Sequence, residues 1–471
     1  MIEENICVIK KKRSIMNKRS FFLMAIALLC LMYPAQGQPA GDGAMLISGS
    51  LITDQRIRLS DGNDWIWNEN RLSMKLDNRP SDRTRFYSEV WMRNLGLPNA
   101  VRLSDLYNKG IVDPYTMEVR EAWVRMSDFM VPGLDMTLGR QRMAWGTADR
   151  FNPTNNLAPA DLEDLLDFGR QRGTDAVNLQ WFMGNDFSLQ GVLVPFFRPA
   201  NLPIGVMAGI FQPQTNVSLG EVPLQFSDTL LMPRNNLKEG LTAGARFRGF
   251  LSGVDFSLSY VWGYDGLPFN TRNTLAMNGS TGALQVDSEL SFLRTHIVGA
   301  DFSTSLWGIG LWAEAAMHFP HKDLVMTMDL RAMGLPLQEN VILAADEPYV
   351  KFVAGGDYHF VDGSYLNVQY LRGFIHERGV DELNDYVFLR YEKRLLNEKL
   401  ILAPLNGGFA VMDWSAVRDN SALVYMPEVT WKINPNTDLS ISSIIIHGKG
   451  DSMFARLNEL DMLVFKMSYS F

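Results

Sequence analysis

Leu463-Val464-Phe465-Lys466-Met467-Ser468-Tyr469-Ser470-Phe471 ends the chain, and its residues alternate. Leu463, Phe465, Met467, Tyr469 and Phe471 fall on one side; Val464, Lys466, Ser468 and Ser470 fall on the other. A period of two is that of a β-strand with two unlike faces. The apolar face is large and aromatic, and it runs to the last residue. A row of this kind is suited to lipid, and the strand carrying it needs hydrogen-bonding partners on both edges.

Working back from this strand, the same alternation recurs in segments of about ten residues bounded by turn residues. Trp65 to Asp77 sets Ile66, Leu72, Met74 and Leu76 against Glu69, Arg71, Ser73, Lys75 and Asp77. Arg83 to Asn94 sets Phe86, Val90 and Met92 against Arg83, Arg85, Tyr87, Glu89 and Arg93. Leu241–Gly249, Val254–Trp262, Tyr349–Phe360, Ser364–Arg372, Asn384–Arg394, Lys399–Met412, Leu423–Ile433 and Thr437–His447 read the same way. Thr116 to Ser127 fits badly, because Glu121 and Arg125 share a face with Val119 and Trp123; a bulge there would shift the register.

The connections alternate too. Short turns such as Gly184-Asn185-Asp186, Val361-Asp362-Gly363 and Asn434-Pro435-Asn436 take turns with long loops near 95–115, 143–172, 199–238, 266–289 and 320–347. Short turns on one side and long loops on the other are the asymmetry of a transmembrane barrel. A soluble sandwich or propeller has no reason to keep that order along the chain. The reading is an all-β, antiparallel transmembrane barrel of about 18 strands, within roughly 16–20, with both termini on the periplasmic side.

Composition agrees. The 471 residues are 46% hydrophobic with a formal net charge of −8, too polar for a helical membrane protein. Past the N-terminus no apolar run reaches the ~20 residues of a spanning helix. Basic residues from Lys10 to Arg19, the apolar stretch Phe21–Met32 and Ala35-Gln36-Gly37 read as a secretion signal over residues 1–37, with Met16 an alternative start. Residues 38–471 then form a single barrel domain. Cys7 and Cys30 are the only cysteines and lie in the segment to be removed, which excludes disulfide, thiol-nucleophile and zinc-finger readings for the barrel.

The polar faces describe the lumen. Inward candidates include Arg56, Arg58, Arg71, Lys75, Arg83, Arg85, Arg93, Arg246, Arg248, Lys351, Arg390, Arg394 and Lys432. Fewer acids share those faces: Asp54, Glu69, Asp77, Glu89, Asp255, Asp357 and Glu392. A confined row of fixed cations concentrates anions and replaces lost hydration, so the expected cargo is a small anionic solute. Pairing of these arginines with inward acids, merely stiffening the wall, is the alternative. Aromatics near strand ends (Trp65, Trp67, Trp91, Trp262, Trp307, Trp312, Trp431) suit interfacial girdles.

One segment stands apart: Leu138-Gly139-Arg140-Gln141-Arg142-Met143-Ala144-Trp145-Gly146, then Arg150-Phe151-Asn152-Pro153, ending at Asp167-Phe168-Gly169-Arg170-Gln171-Arg172-Gly173. A strand ending in Gly-Arg-Gln, then Trp-Gly, then an Asn-Pro loop resembles the porin-like families related to alginate-export outer-membrane proteins. The resemblance spans residues 134–175 and implies an 18-stranded barrel, an Arg-rich lumen and passive passage of a specific solute, with Arg140 and Arg142 as its binding residues. Simple alternation from Leu138 turns both outward, unless Gly139 marks a bulge. The last strand, with its terminal Phe471, resembles the closing strand of bacterial outer-membrane barrels, which implies contact with the insertion machinery as well as with lipid.

Loop 143–172 is too long to be a bare connection. Pro159 followed by Asp161–Phe168 has helix-like composition, and the expectation is a short helix in a loop that folds inward and narrows the pore around Trp145, Asp161, Asp164 and Asp167. A solvated acidic helix face is favoured over a calcium site built from Asp161, Glu163, Asp164 and Asp167. His447 with Ser440, Ser442 and Ser443 nearby is the one candidate hydrolytic grouping, and a small polar inward face explains it better. No phosphate-cradling glycine loop or basic nucleic-acid tract is present. The expected function is a porin-like channel, without cofactor, metal or catalysis. The rivals are a transporter of hydrophobic compounds, marked by a greasy lumen, and a surface receptor or scaffold barrel.

Overall fold

The computed structural model describes residues 45–59, 62–167, 169–210, 218–219, 222–278, 282–321, 323–334, 337–450, 453–458 and 460–471. The expected signal segment, both cysteines and Phe168 lie outside these residues.

Eighteen strands make one closed antiparallel sheet. They are β1 (Met45–Arg58), β2 (Trp65–Ser81), β3 (Thr84–Leu95), β4 (Tyr115–Met126), β5 (Leu134–Gln141) and β6 (Thr174–Met183). Then come β7 (Phe187–Val194), β8 (Thr242–Leu251), β9 (Val254–Tyr264), β10 (Arg294–Leu306), β11 (Ile309–Pro320) and β12 (Tyr349–His359). The last are β13 (Ser364–Arg372), β14 (Asp385–Leu395), β15 (Leu400–Val411), β16, β17 (Thr437–Gly448) and β18 (Met462–Ser470). Strand β16 is interrupted into Ser421–Tyr425 and Glu428–Asn434, both held between β15 and β17.

The terminal strand closes the ring. Ser50–Arg58 pairs with Ser470–Met462. Phe471 and Gly49 exchange backbone hydrogen bonds of 2.9 and 3.0 Å, and a Cβ at Gly49 would run into the Phe471 ring. With no free edge, every strand has two hydrogen-bonding neighbours, which a bilayer demands because an unpaired backbone group there costs several kcal/mol. Leu463, Phe465, Met467 and Tyr469 face out, while Val464 is buried on the inside. At the same end of the barrel, Ser252-Gly253 and Trp307-Gly308 both take positive φ at two successive residues, the two-residue hairpin turn whose twist suits paired strands.

The awkward strand β4 contains a bulge: Glu89 faces Glu121 but Val90 faces Val119, so Arg120 is the extra residue. Glu118, Arg120, Glu121 and Arg125 thereby all reach the interior, and Val119 turns out. The girdle reading needs correction. Trp65 and Trp431 are exposed outside and Trp307 is exposed in its turn, but Trp67, Trp91 and Trp312 are buried inside the barrel.

The long loops are not bare connections. Residues 222–230, 269–277, 284–291, 324–329 and 338–344, with the short strand 218–219, build a second, six-stranded mixed sheet from three consecutive external loops. Two of its pairings are parallel, 224–230 with 284–290 and 272–274 with 327–329. Reading these segments as loops missed it, because long-range parallel pairing leaves no local turn signal.

Candidate functional site

Strands β1–β4 turn an ionic wall inward. Asp54 and Arg56, Glu69 and Arg71, Glu89 and Arg93, and Arg120 are all buried there. Trp91 is their centre: the Arg71 and Arg120 guanidiniums each lie 4.1 Å from its ring, a cation–π arrangement strengthened by burial. Its indole N–H donates to Glu89 at 2.7 Å.

Loop 142–173 crosses the lumen and is latched at three places. Its acidic segment docks on the ionic wall. Asp164 accepts from Arg56 at 2.9 Å, Asp161 from Arg120 at 2.9 Å, and Glu163 pairs with Arg93 at 2.7 Å. Arg170 of the same loop reaches back to Asp161 at 3.0 Å and Glu163 at 2.8 Å. The second latch is Trp145, which is fully buried with Met143, Leu157, Val192, Val261 and Ile297. Its Nε1 donates to Gln190 at 3.0 Å, and a Cβ at Gly244 would press on its ring. The third is Glu314 on β11. Its carboxylate accepts from the backbone N–H groups of Thr147 at 2.9 Å, Ala148 at 3.1 Å and Thr154 at 3.1 Å, and from the Asn152 and Thr154 side chains at 3.2 Å. Gly146, at φ +95, leaves the space that carboxylate occupies.

The far wall is different in kind. Val353, Leu371, Tyr386, Phe388, Ala410, Ala422, Val424, Ile444, Ile446, Met462 and Val464 face inward from β12–β18. They pack with Leu165 and Phe151 of the loop and Phe454 into one apolar cluster. The lumen is amphipathic across its width.

Three cavities remain around the loop. One of about 210 Å³ opens at the external end against His318, Lys351 and Phe374. One of about 360 Å³ lies on the apolar wall and one of about 180 Å³ on the ionic wall. Arg150 lines all three. Its backbone takes φ +71 and packs on Gly169, where a Cβ would collide with it. Among the described residues its guanidinium makes no hydrogen bond or ion pair. The smallest cavity has Arg56, Arg71, Arg150, Arg390 and Lys466 against Asp54, Glu69, Asp164, Asp167 and Glu428. These charges balance in number, so any preference comes from those left unpaired: Arg150 and Lys466 against Asp167.

The expected lining residues separate into groups. Arg71, Arg93 and Arg142 point inward into acids, Arg142 meeting Glu121 at 2.7 Å and also Glu89. Arg142 comes inside because β5 ends at Gln141; Arg140, two residues earlier, stays outside on Asp175 at 3.2 Å. Gly139 is not a bulge, since the register from Ala122↔Arg140 to Met126↔Met136 is unbroken. Arg85 pairs with Asp77 at 2.9 Å, and Arg390 with Glu392 at 2.6 Å. Arg246 lies over Trp145 at 5.4 Å, and Arg248 meets Asp255 at 3.1 Å. The Lys351 ammonium is buried on the Phe374 carbonyl at 2.8 Å. Lys75 is inward and exposed, Arg83 sits exposed in the turn after β2, and Arg394 lies at the periplasmic turn, 3.8 Å from Glu398. Of the loop residues, Trp145, Asp161 and Asp164 are buried anchors and Asp167 remains exposed. The described part of Asp161–Phe168 is a run of turns rather than a helix, and its carboxylates meet arginines in place of solvent. The inward acids Glu118, Glu121, Asp301, Glu314 and Glu428 went unread, as did the roles of Arg120 and Arg150.

Ser440 and Ser442 face inward on the ionic cavity, whereas His447 falls on the outer face of β17, beside Leu423. The suspected hydrolytic grouping is therefore split across the wall. Among the described residues no cluster of three His, Cys, Asp or Glu side chains could hold a metal.

A closed barrel with an apolar outside, an inside charged on one wall and apolar on the other, and a constricting loop defines a transmembrane β-barrel. More particularly, the chain belongs to the family described as "Protein of unknown function (DUF1302)", whose model matches residues 46–380. No curated protein matches the chain. Similar solved structures include OmpF of Salmonella typhi in complex with daunomycin, at 10% identity over 91% of this chain and 98% of that one, TM-score 0.41. In vitro folded OmpT of Vibrio cholerae has 10% identity, 93% and 100% coverage and TM-score 0.41. A mutant porin of Rh. blastica has 11%, 91% and 100%, and 0.41. The 18-strand closure stands on the pairings above, independently of these likenesses.

Proposed function

We propose that this barrel is a passive channel for small anionic solutes, selected where loop 142–173 narrows the lumen. The observation carrying the reading is Arg150, a cation unpaired among the described residues and lining all three cavities, while most wall arginines are matched by acids. A fixed charge in a narrow passage attracts its counter-ion and repels its like. The relation to alginate-export type barrels, carried by residues 134–175, the removal of residues 1–37 as a signal and delivery to the insertion machinery through the strand ending in Phe471 belong to the same proposal. The apolar wall of β12–β18 favours a second reading, passage of hydrophobic compounds.

Reversal potentials in a KCl gradient across planar bilayers test the first reading. Anion preference is expected, lowered strongly by Arg150→Gln and less by the double change Arg246→Gln, Arg248→Gln. Equal permeability of K⁺ and Cl⁻ in the unmodified protein would defeat it.

A further inference from the structure

Resting on that reading, we infer that the 360 Å³ cavity is a binding site for carboxylic acids with a compact apolar body, aryl or medium-chain alkyl. Its volume lies within the usual range for small-molecule sites, ~300–1,000 Å³. One side is aromatic. Phe151 stacks on Phe388 at 4.5 Å between ring centres and meets Phe374 at 5.3 Å; Tyr386 lies 5.2 Å from Phe374. Beside the rings stand small residues, Gly407, Gly408, Ala410 and Ala422. A Cβ at Gly408 would run into the Phe388 ring. Gly408 is the cross-strand partner of Phe388, whose ring lies over it, and the other small residues keep the wall beside the ring low, leaving volume that bulkier side chains would fill.

Among the described residues the polar rim has one unengaged cation; the Gln369 side-chain oxygen is also without a partner, but it is an acceptor and cannot receive an anion. The Tyr386 hydroxyl is bonded to Glu377, Asp149 accepts from Asn367 at 2.9 Å, and Arg390 is paired with Glu392 at 2.6 Å. Arg150 alone is left to meet a charged group, and a guanidinium binds a carboxylate through two parallel hydrogen bonds. The apolar body would then lie on Phe151, Tyr386 and Phe388, with its head at the opening shared with the ionic cavity. An inorganic anion would use the same arginine without the apolar wall, so the two halves of the site are separable.

Calorimetric titration of the detergent-solubilised barrel, corrected against detergent alone, uses octanoate, acetate and octanol as probes. Octanoate is expected to bind at least about tenfold more tightly than acetate, one buried side chain's worth of apolar surface. Arg150→Gln should weaken octanoate by roughly ten- to a hundredfold and leave octanol unchanged. Phe388→Ala, and independently Phe151→Ala in the loop, should weaken both. Octanoate binding no better than acetate, or unaffected by Arg150→Gln, overturns the inference. Chloride selectivity in the bilayer reads the parent proposal separately: selectivity without octanoate binding removes this inference alone.

Discussion

The two walls of one barrel are built on opposite rules. On β1–β4 the buried inward polar residues are largely charged, and each buried charge is matched by another from the wall or from the loop. On β12–β18 the inward residues are largely aliphatic, aromatic or small. The ionic wall holds the loop by hydrogen-bonded ion pairs, which are geometrically specific and costly to half-remove. The apolar wall holds it by area, which is tolerant of shape but leaves a cavity where small residues stand. The contrast explains how one loop can be anchored firmly and still present a single unengaged arginine between the two surfaces.

Breaking the third anchor should have the largest effect. Glu314→Ala removes five hydrogen bonds to the loop at once, each to a charged acceptor worth roughly 1.5–3 kcal/mol. Release of residues 146–154 is expected, read as a several-fold rise in single-channel conductance and as new protease cleavage near Arg150. The ionic wall gives the next largest. Arg56→Gln or Asp164→Asn strands a buried charge and should cost about 3–5 kcal/mol of local stability. The double variant should cost less than the sum of the two, measured by hydrogen exchange in the loop. Equal damage from singles and double added together would mean the residues do not act as a pair.

Acid should spare the docking of the acidic segment on the ionic wall over a wide range. Burial pulls the Asp164 and Asp161 carboxyls up, but Arg56 for the first, and Arg170 and Arg120 for the second, outweigh it and hold both below the usual carboxylate range. Their stabilisation is therefore complete above the unfolded value of about 4 and is lost only as pH falls below it. Hydrogen-exchange protection of residues 161–164 should stay level from neutral pH to about 5 and fall only in stronger acid; loss near neutral pH would show that other groups hold this segment. The smallest effect is expected at Arg140, which lies outside the lumen on Asp175. Arg140→Gln should leave ion selectivity unchanged in the same bilayer recording.

The barrel was legible because lipid on one face and water on the other enforce strict alternation, and β18, β2 and β3 show it residue by residue. Legibility failed where that contrast vanishes. Ser443-Ile444-Ile445-Ile446 has no polar face, because Ile444 and Ile446 line the apolar wall while Ile445 faces lipid. Glu314 could have been found from Trp312, Glu314 and His318 alternating with Leu311, Ala313 and Met317. Arg150 could not: its position depends on Gly169 and on the loop's anchors at Glu314 of β11 and Arg56 of β1, far off in sequence. Loop composition marked Asp161 and Asp164 as acidic but not as the partners of Arg120 and Arg56, so an ion-paired latch read as a helix.

The placement of Arg150 is tested most directly with a thiol. Cys7 and Cys30, the only cysteines, both precede the barrel, so Arg150→Cys gives it a single reactive site. With residue 150 at the junction of the conducting cavities, a bulky thiol reagent added to the bilayer chamber should abolish most of the current, and a reductant should restore it. Full labelling with no change in current would place residue 150 off the path and contradict the division of the lumen described above.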